Sequence, residues 1–172
     1  WYTSYTPYQA EISQGRLEAL FNFQTLICEL TGFSIANASL LDEATAAAEA
    51  MTVAFAARKN KSKNIFLISE SVYNHTYNVL STRAKPLGIS LKIFDNNSCD
   101  FDQLAFGLLI QLPAQNGELI NPTFLASKSH QQDICVCASI DPLAQVLIKP
   151  IANFGVDIAV GSMQRFGVPI GF

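Results

Sequence analysis

Apolar side chains along the chain change rhythm near residue 64. Before it, Leu17, Leu20, Phe21, Gln24, Ile27, Cys28 and Leu30 recur at roughly helical spacing. Ser13 can cap this helix, and Gly32 is well placed to stop it. An extended piece over 33–38 leads to an alanine-rich helix over about 43–58, and Arg58, Lys59, Lys61 and Lys63 lie where that helix ends, as a solvated loop that complements the dipole. After residue 64 the pattern becomes short apolar runs separated by helical segments. Strands are expected over 65–68, 89–94, 108–112, 134–138 and 156–160. Helices are expected over 74–84, 122–130 and from Asp141-Pro142 to about Leu147, where an aspartate precedes proline at the first helical position. Strands separated by helices predict a mostly parallel, doubly wound α/β sheet.

The stretch Asn37–Met51 is the organising element. Ser39 or Asp42 can cap its first turn, and the spacing of the two resembles a capping box. The small alanines behind the cap let the helix press close to a sheet or a ligand. A helix start is a ready anion cradle. The residues favour the plainer reading, a well-capped core helix, because Asp42 and Glu43 at its mouth already complement the dipole and would repel a phosphate.

Other chemistry is sparse. There is no P-loop, no Gly-x-Gly-x-x-Gly after a strand and no Gly-x-Ser-x-Gly elbow. His75 follows a strand, a ligand-facing place that surface histidines also occupy. Asp141 follows another strand, where it can pair with a ligand cation or serve as a plain helix cap.

Composition adds a hint about surfaces. A hydrophobic share of 49% with 15% charged residues is rich for 172 residues and suggests surface meant to be covered, or self-association. The net charge of −3 gives no reason to expect nucleic acid or an anionic membrane as partner, and no apolar run reaches the length of a membrane span. The four cysteines do not read as a disulfide framework; reduced thiols suit the cytoplasm, or the mitochondrial matrix in a eukaryotic source. Cys135 and Cys137 would share one strand face, and a metal there would need ligands beyond nearby His130. The aromatic segment 1–12, with Trp1, Tyr2, Tyr5 and Tyr8, should lie on another surface. A single domain over 1–172, cut from something longer, is the expected organisation.

Three long stretches, Tyr2–Glu18, Ile35–Met51 and Gly155–Phe172, resemble the P-protein family of the glycine cleavage system, and the likeness runs almost end to end. That family is the pyridoxal-phosphate-dependent glycine decarboxylase, or aminomethyl-transferring glycine dehydrogenase. What this chain resembles is part of the amino-terminal half, or of the alpha subunit where the enzyme is split. The resemblance implies the large domain of an aspartate-transaminase-like (fold type I) pyridoxal-phosphate enzyme. It implies a parent that decarboxylates glycine and passes the aminomethyl group to the lipoyl arm of the H-protein. Only the carboxy-terminal half of the family carries the Schiff-base lysine.

Carried over residue by residue, the resemblance describes a degenerate cofactor site. Arg165, in Gln164-Arg165-Phe166, stands at the lysine position, and an arginine stays protonated and cannot form the Schiff base. Tyr73 replaces the histidine of the family's His-Pro-Gln-Thr stretch, keeping an aromatic face, and His75 does not inherit its role. Asp141 matches the aspartate that pairs with the pyridine nitrogen in a working half. The stretch Asp42–Thr45 replaces the small Ser/Gly cradle, with Thr45 the remaining hydroxyl. Tyr5, Tyr8 and Gln9 are the expected reach toward the partner's site. The chain is then an inactive, structural piece that pairs with the catalytic half or beta subunit of the P-protein; the alternative is a vestigial module binding pyridoxal phosphate without a covalent link.

Overall fold

The computed structural model describes residues 9–37, 39–97 and 100–169. Five parallel strands form one sheet: β1 (Ile65–Ser69), β2 (Ser90–Phe94), β3 (Ala105–Leu112), β4 (Cys135–Ile140) and β5 (Ile158–Val160). Their spatial order is β2-β1-β3-β4-β5. Helices α1 (Gln14–Thr31), α2 (Glu43–Ala57), α3 (Asn74–Ala84), α4 (Thr123–His130) and α5 (Pro142–Gln145) accompany them. All five expected strands and the doubly wound pattern are present. The bounds of α3 coincide with the expectation, whereas α5 and β5 are shorter than the sequence suggested.

Every residue of β1 and of β3 is buried, as strands covered on both faces must be. Alternate side chains feed two cores. Ile65, Leu67, Leu108, Ile110, Val136 and Ala138 meet Leu125 and Ala126 of α4 on one face. Phe66, Ile68, Leu109 and Cys137 meet α2 and α3 on the other. The alanines decide how close α2 comes: Ala47 and Ala48 are fully buried, and Met51 is the one large buried side chain of that helix. Close approach is also built into the end of β5, where a Cβ on Gly161 would lie 2.4 Å from the carbonyl oxygen of Ile140.

One alternative is resolved at the start of α2, and one local expectation is corrected at Lys63. Of the two candidate caps, Asp42 is the N-cap of α2: its carboxylate accepts from the Thr45 amide at 2.7 Å. Phe21, one of the apolar residues at helical spacing, is 67% exposed on α1, whereas Phe23 is half-buried. Lys63 is not a solvated loop cation. It is buried, and its ammonium donates to the carbonyls of Gln132 and Asp133, in the turn where Asp133 adopts φ 53°. Lys59 pairs with the Asp133 carboxylate at 2.8 Å, so part of the basic cluster clamps the turn before β4.

Candidate functional site

The carboxyl ends of β3 and β4 meet the amino end of α2, with the ends of β1 and β5 on either side in the sheet, at the edge where open α/β sheets hold ligands in a crevice. The local sequence explains each arrival. Asp42 leaves the helix in an extended conformation and caps it, so Glu43 occupies the first turn and points down to the sheet. The Glu43 carboxylate accepts a short hydrogen bond from the Ser139 hydroxyl, and the Gln111 amide donates to it at 3.4 Å. Gln111 and Ser139 are register partners on β3 and β4, so one acid spans both central strands. Both are essentially buried, at 3% and 0% exposure.

Asp141 follows β4 and caps α5, its Oδ1 accepting from the Leu143 amide at 2.9 Å. Its other oxygen accepts from Arg165 Nε at 3.0 Å. Both carboxylate oxygens are therefore engaged by the protein itself. Arg165 lies in a short 3-10 turn, Met163–Phe166, that begins at Ser162 just after Gly161. The glycine lets the chain pass close to β4, which sets Arg165 against Asp141.

On the opposite side of the crevice, Tyr73 and His75 stack with ring centroids 5.5 Å apart and planes 19° apart. Tyr73 is half-buried and His75 exposed. The amide and hydroxyl of Thr45 hold the Asp42 carboxyl below its ordinary pKa, and the nearby His75 adds to the effect. Thr45 is thus engaged in capping. Beside them Ser69 donates to Asn96 Oδ1 at 2.6 Å, Asn96 donates to Ser71 at 3.0 Å, and the two serine hydroxyls lie 2.6 Å apart, a closed ring at the end of β1.

Asp42, Thr45, Tyr73, Asp141 and Arg165 therefore all lie at this carboxyl edge. Gln9 is exposed and precedes a 3-10 turn without capping it; Tyr5 and Tyr8 fall outside the described residues. The downward reach of Glu43 and the roles of Gln111, Ser139 and the serine ring were missed. A signal existed: Gln111 and Ser139 are polar interruptions near the ends of apolar strand runs.

A separate open groove, about 600 Å³, lies at the amino edge of the sheet, bordered by Ser127, His130 and Gly155. There His130 Nε2 meets Asp157 Oδ2 at 3.0 Å, and the same oxygen accepts from the Val136 amide at 2.8 Å. This contact fastens α4 and the approach to β5 onto β4. No three potential metal ligands converge among the described residues. Cys135 and Cys137 do share a face as free thiols, and contact with Cys135 together with full burial pushes the Cys137 thiol up. No described helix is long and apolar enough to cross a membrane.

Fold and crevice define the class: an α/β unit of the kind found in the large domain of fold type I pyridoxal-phosphate enzymes. An O-acetylhomoserine (thiol)-lyase from Campylobacter jejuni, solved with N′-pyridoxyl-lysine-5′-monophosphate, matches at TM-score 0.69 over 95% of this chain and 44% of that one; at 14% identity this shows the fold alone. The more specific match covers everything: residues 1–172 fit the model of the glycine cleavage system P-protein, and the chain belongs to that family.

A crystal structure of glycine decarboxylase (P-protein) in inhibitor-bound form superimposes at TM-score 0.90 with 35% identity, covering 99% of this chain and 39% of that one. Glycine dehydrogenase (decarboxylating) from Prochlorococcus marinus strain NATL2A is 62% identical over 172 residues, and the Nostoc punctiforme protein of the same description is 53% identical. The chain spans 18% of the length of these relatives.

Proposed function

We propose that this chain is a scaffold and pairing piece of the non-catalytic half of a glycine decarboxylase, without decarboxylase activity of its own. The observation that carries this reading is the Arg165–Asp141 pair. The aspartate at the position that would face a pyridine nitrogen is neutralised from within, by the side chain that stands where a Schiff-base lysine would be. Asp42 and Glu43 add two carboxylates at the helix mouth that would otherwise receive a phosphate. This donor set does not fit a covalently held pyridoxal phosphate, and no chemical step is routed through one here.

In this reading the whole enzyme uses pyridoxal phosphate, acts on glycine and hands the aminomethyl group to the lipoylated H-protein, while this part supports the catalytic half or beta subunit. The compartment is the cytoplasm, or the mitochondrial matrix in a eukaryote. A second reading, non-covalent binding of pyridoxal phosphate, is favoured by the stacked Tyr73–His75 face beside the start of α2.

The test is to add pyridoxal phosphate to the chain, record the visible spectrum, reduce with borohydride and map labelled peptides. No labelling above scattered surface lysines is the expected result. A stoichiometric adduct on one lysine overturns the scaffold reading, and saturable binding without fixation selects the second. Arg165→Lys supplies an amine yet is expected to remain unlabelled at position 165, because Asp42 and Glu43 still face the phosphate.

A further inference from the structure

Helix α1 is long and poorly covered by the described residues of its own chain. Of its 18 residues only Thr31 is buried, whereas the 15-residue α2 buries seven. Phe21 is 67% exposed and Leu26 53%, and the loop returning beside the helix presents Ile35 at 83%. Phe21, Gln24, Thr25 and Cys28 form one stripe at helical spacing, and with Ile35 and Ala36 they border a groove of about 420 Å³. Gln24 Nε2 donates to the Ala36 carbonyl at 2.8 Å, so the loop is tied to the helix and the groove is preformed. Among the described residues Glu29 is the one charged side chain that lines it. A helix this weakly buried draws little stability from packing within the chain, and an exposed apolar strip of this kind marks a contact surface.

The occupant is indicated by chain length. The matched region is 18% of the Prochlorococcus relative and 39% of the crystallised P-protein chain, so most of the polypeptide in these relatives lies beyond it. We propose that the groove between α1 and Ile35 seats an apolar segment of the P-protein polypeptide outside residues 1–172. This rests on the reading that the chain works as part of a P-protein, and it adds which surface does the pairing.

The test compares the 172-residue chain with a full-length protein in which it replaces the matched residues of the 62%-identical Prochlorococcus marinus glycine dehydrogenase. Phe21→Glu and Ile35→Glu put a charge on the proposed contact. Both positions are exposed in the chain alone, so its Tm is expected to stay within about 2 °C, while the first unfolding transition of the full-length protein falls by roughly 5 °C or more. Unchanged full-length transitions overturn the proposal. So does an equal fall in both proteins, which would mean that the chain closes its own groove. A 172-residue chain that sediments as a dimer until Phe21→Glu makes it monomeric, with the full-length protein unaffected, assigns the surface to a second copy and also overturns it. A lysine adduct in the borohydride experiment would remove the scaffold reading without altering any of these comparisons.

Discussion

Glu43 is the side chain whose removal discriminates most sharply between a solvated helix acid and a structural tie. Replacing it with alanine leaves the Ser139 hydroxyl and one Gln111 amide proton without their acceptor in a buried setting. Each abandoned buried group costs about 1–3 kcal/mol, so Glu43→Ala is expected to lose about 2–6 kcal/mol, with the low end applying if water enters the vacated space. Glu43→Gln keeps an acceptor oxygen at the same reach. It forfeits only the charge assistance to those bonds and the interaction with the helix dipole, together about 1–2 kcal/mol. The quantity to measure is the urea midpoint, with the slope m checked for constancy between variants. For a domain this size the same differences appear as falls in Tm of roughly 2–8 °C for glutamine and more for alanine. If both variants unfold within about 0.5 kcal/mol of wild type, Glu43 is an ordinary surface acid and the tie between α2 and the two central strands does not exist.

Three further outcomes follow from other contacts. The Asp42 carboxyl titrates below its ordinary value in the folded chain, chiefly through the Thr45 amide, so its stabilisation is present above the unfolded pKa and is lost as pH falls through the folded one. Asp42→Asn keeps the cap, and its Tm should approach that of wild type as the solution is acidified below about pH 4 and differ above it. Asp157→Ala strips the buried Val136 amide of its acceptor and should cost about 1–3 kcal/mol in urea unfolding, whereas His130→Ala, which removes only an exposed partner, should cost less than about 1 kcal/mol. Gly161→Ala would drive a Cβ into the Ile140 carbonyl; a loss of about 1–3 kcal/mol is expected, and an unchanged melting curve would show that the end of β5 shifts freely.

The frame of the molecule was readable because it rests on local signals. The apolar runs of β1 and β3, the stop at Gly32 and the Asp141-Pro142 start of α5 each declare themselves within a few residues. What stayed hidden depends on residues far apart in the chain. Arg165 and Asp141 are 24 positions apart and Glu43 and Ser139 are 96 apart, so no period or cap links them. Lys63 looked like a solvated base because its acceptors are the backbone carbonyls of Gln132 and Asp133, some 70 positions away, which carry no side-chain signal. For α1, helical spacing announced the element correctly but not how little of it the sheet would cover; Phe21 fits a core stripe and a docking stripe equally well.

The reach of Glu43 also bears on how this molecule opens. A helix start normally frays in isolation, since its first turn has few partners and its amides exchange with solvent through small local excursions. Here the first turn of α2 is moored to the ends of β3 and β4, the middle of the sheet. The amides of Ala46 and Ala47 therefore exchange only when the central strands separate. Their protection should equal the global unfolding free energy, and the floor of this crevice behaves as one cooperative unit with the core beneath it.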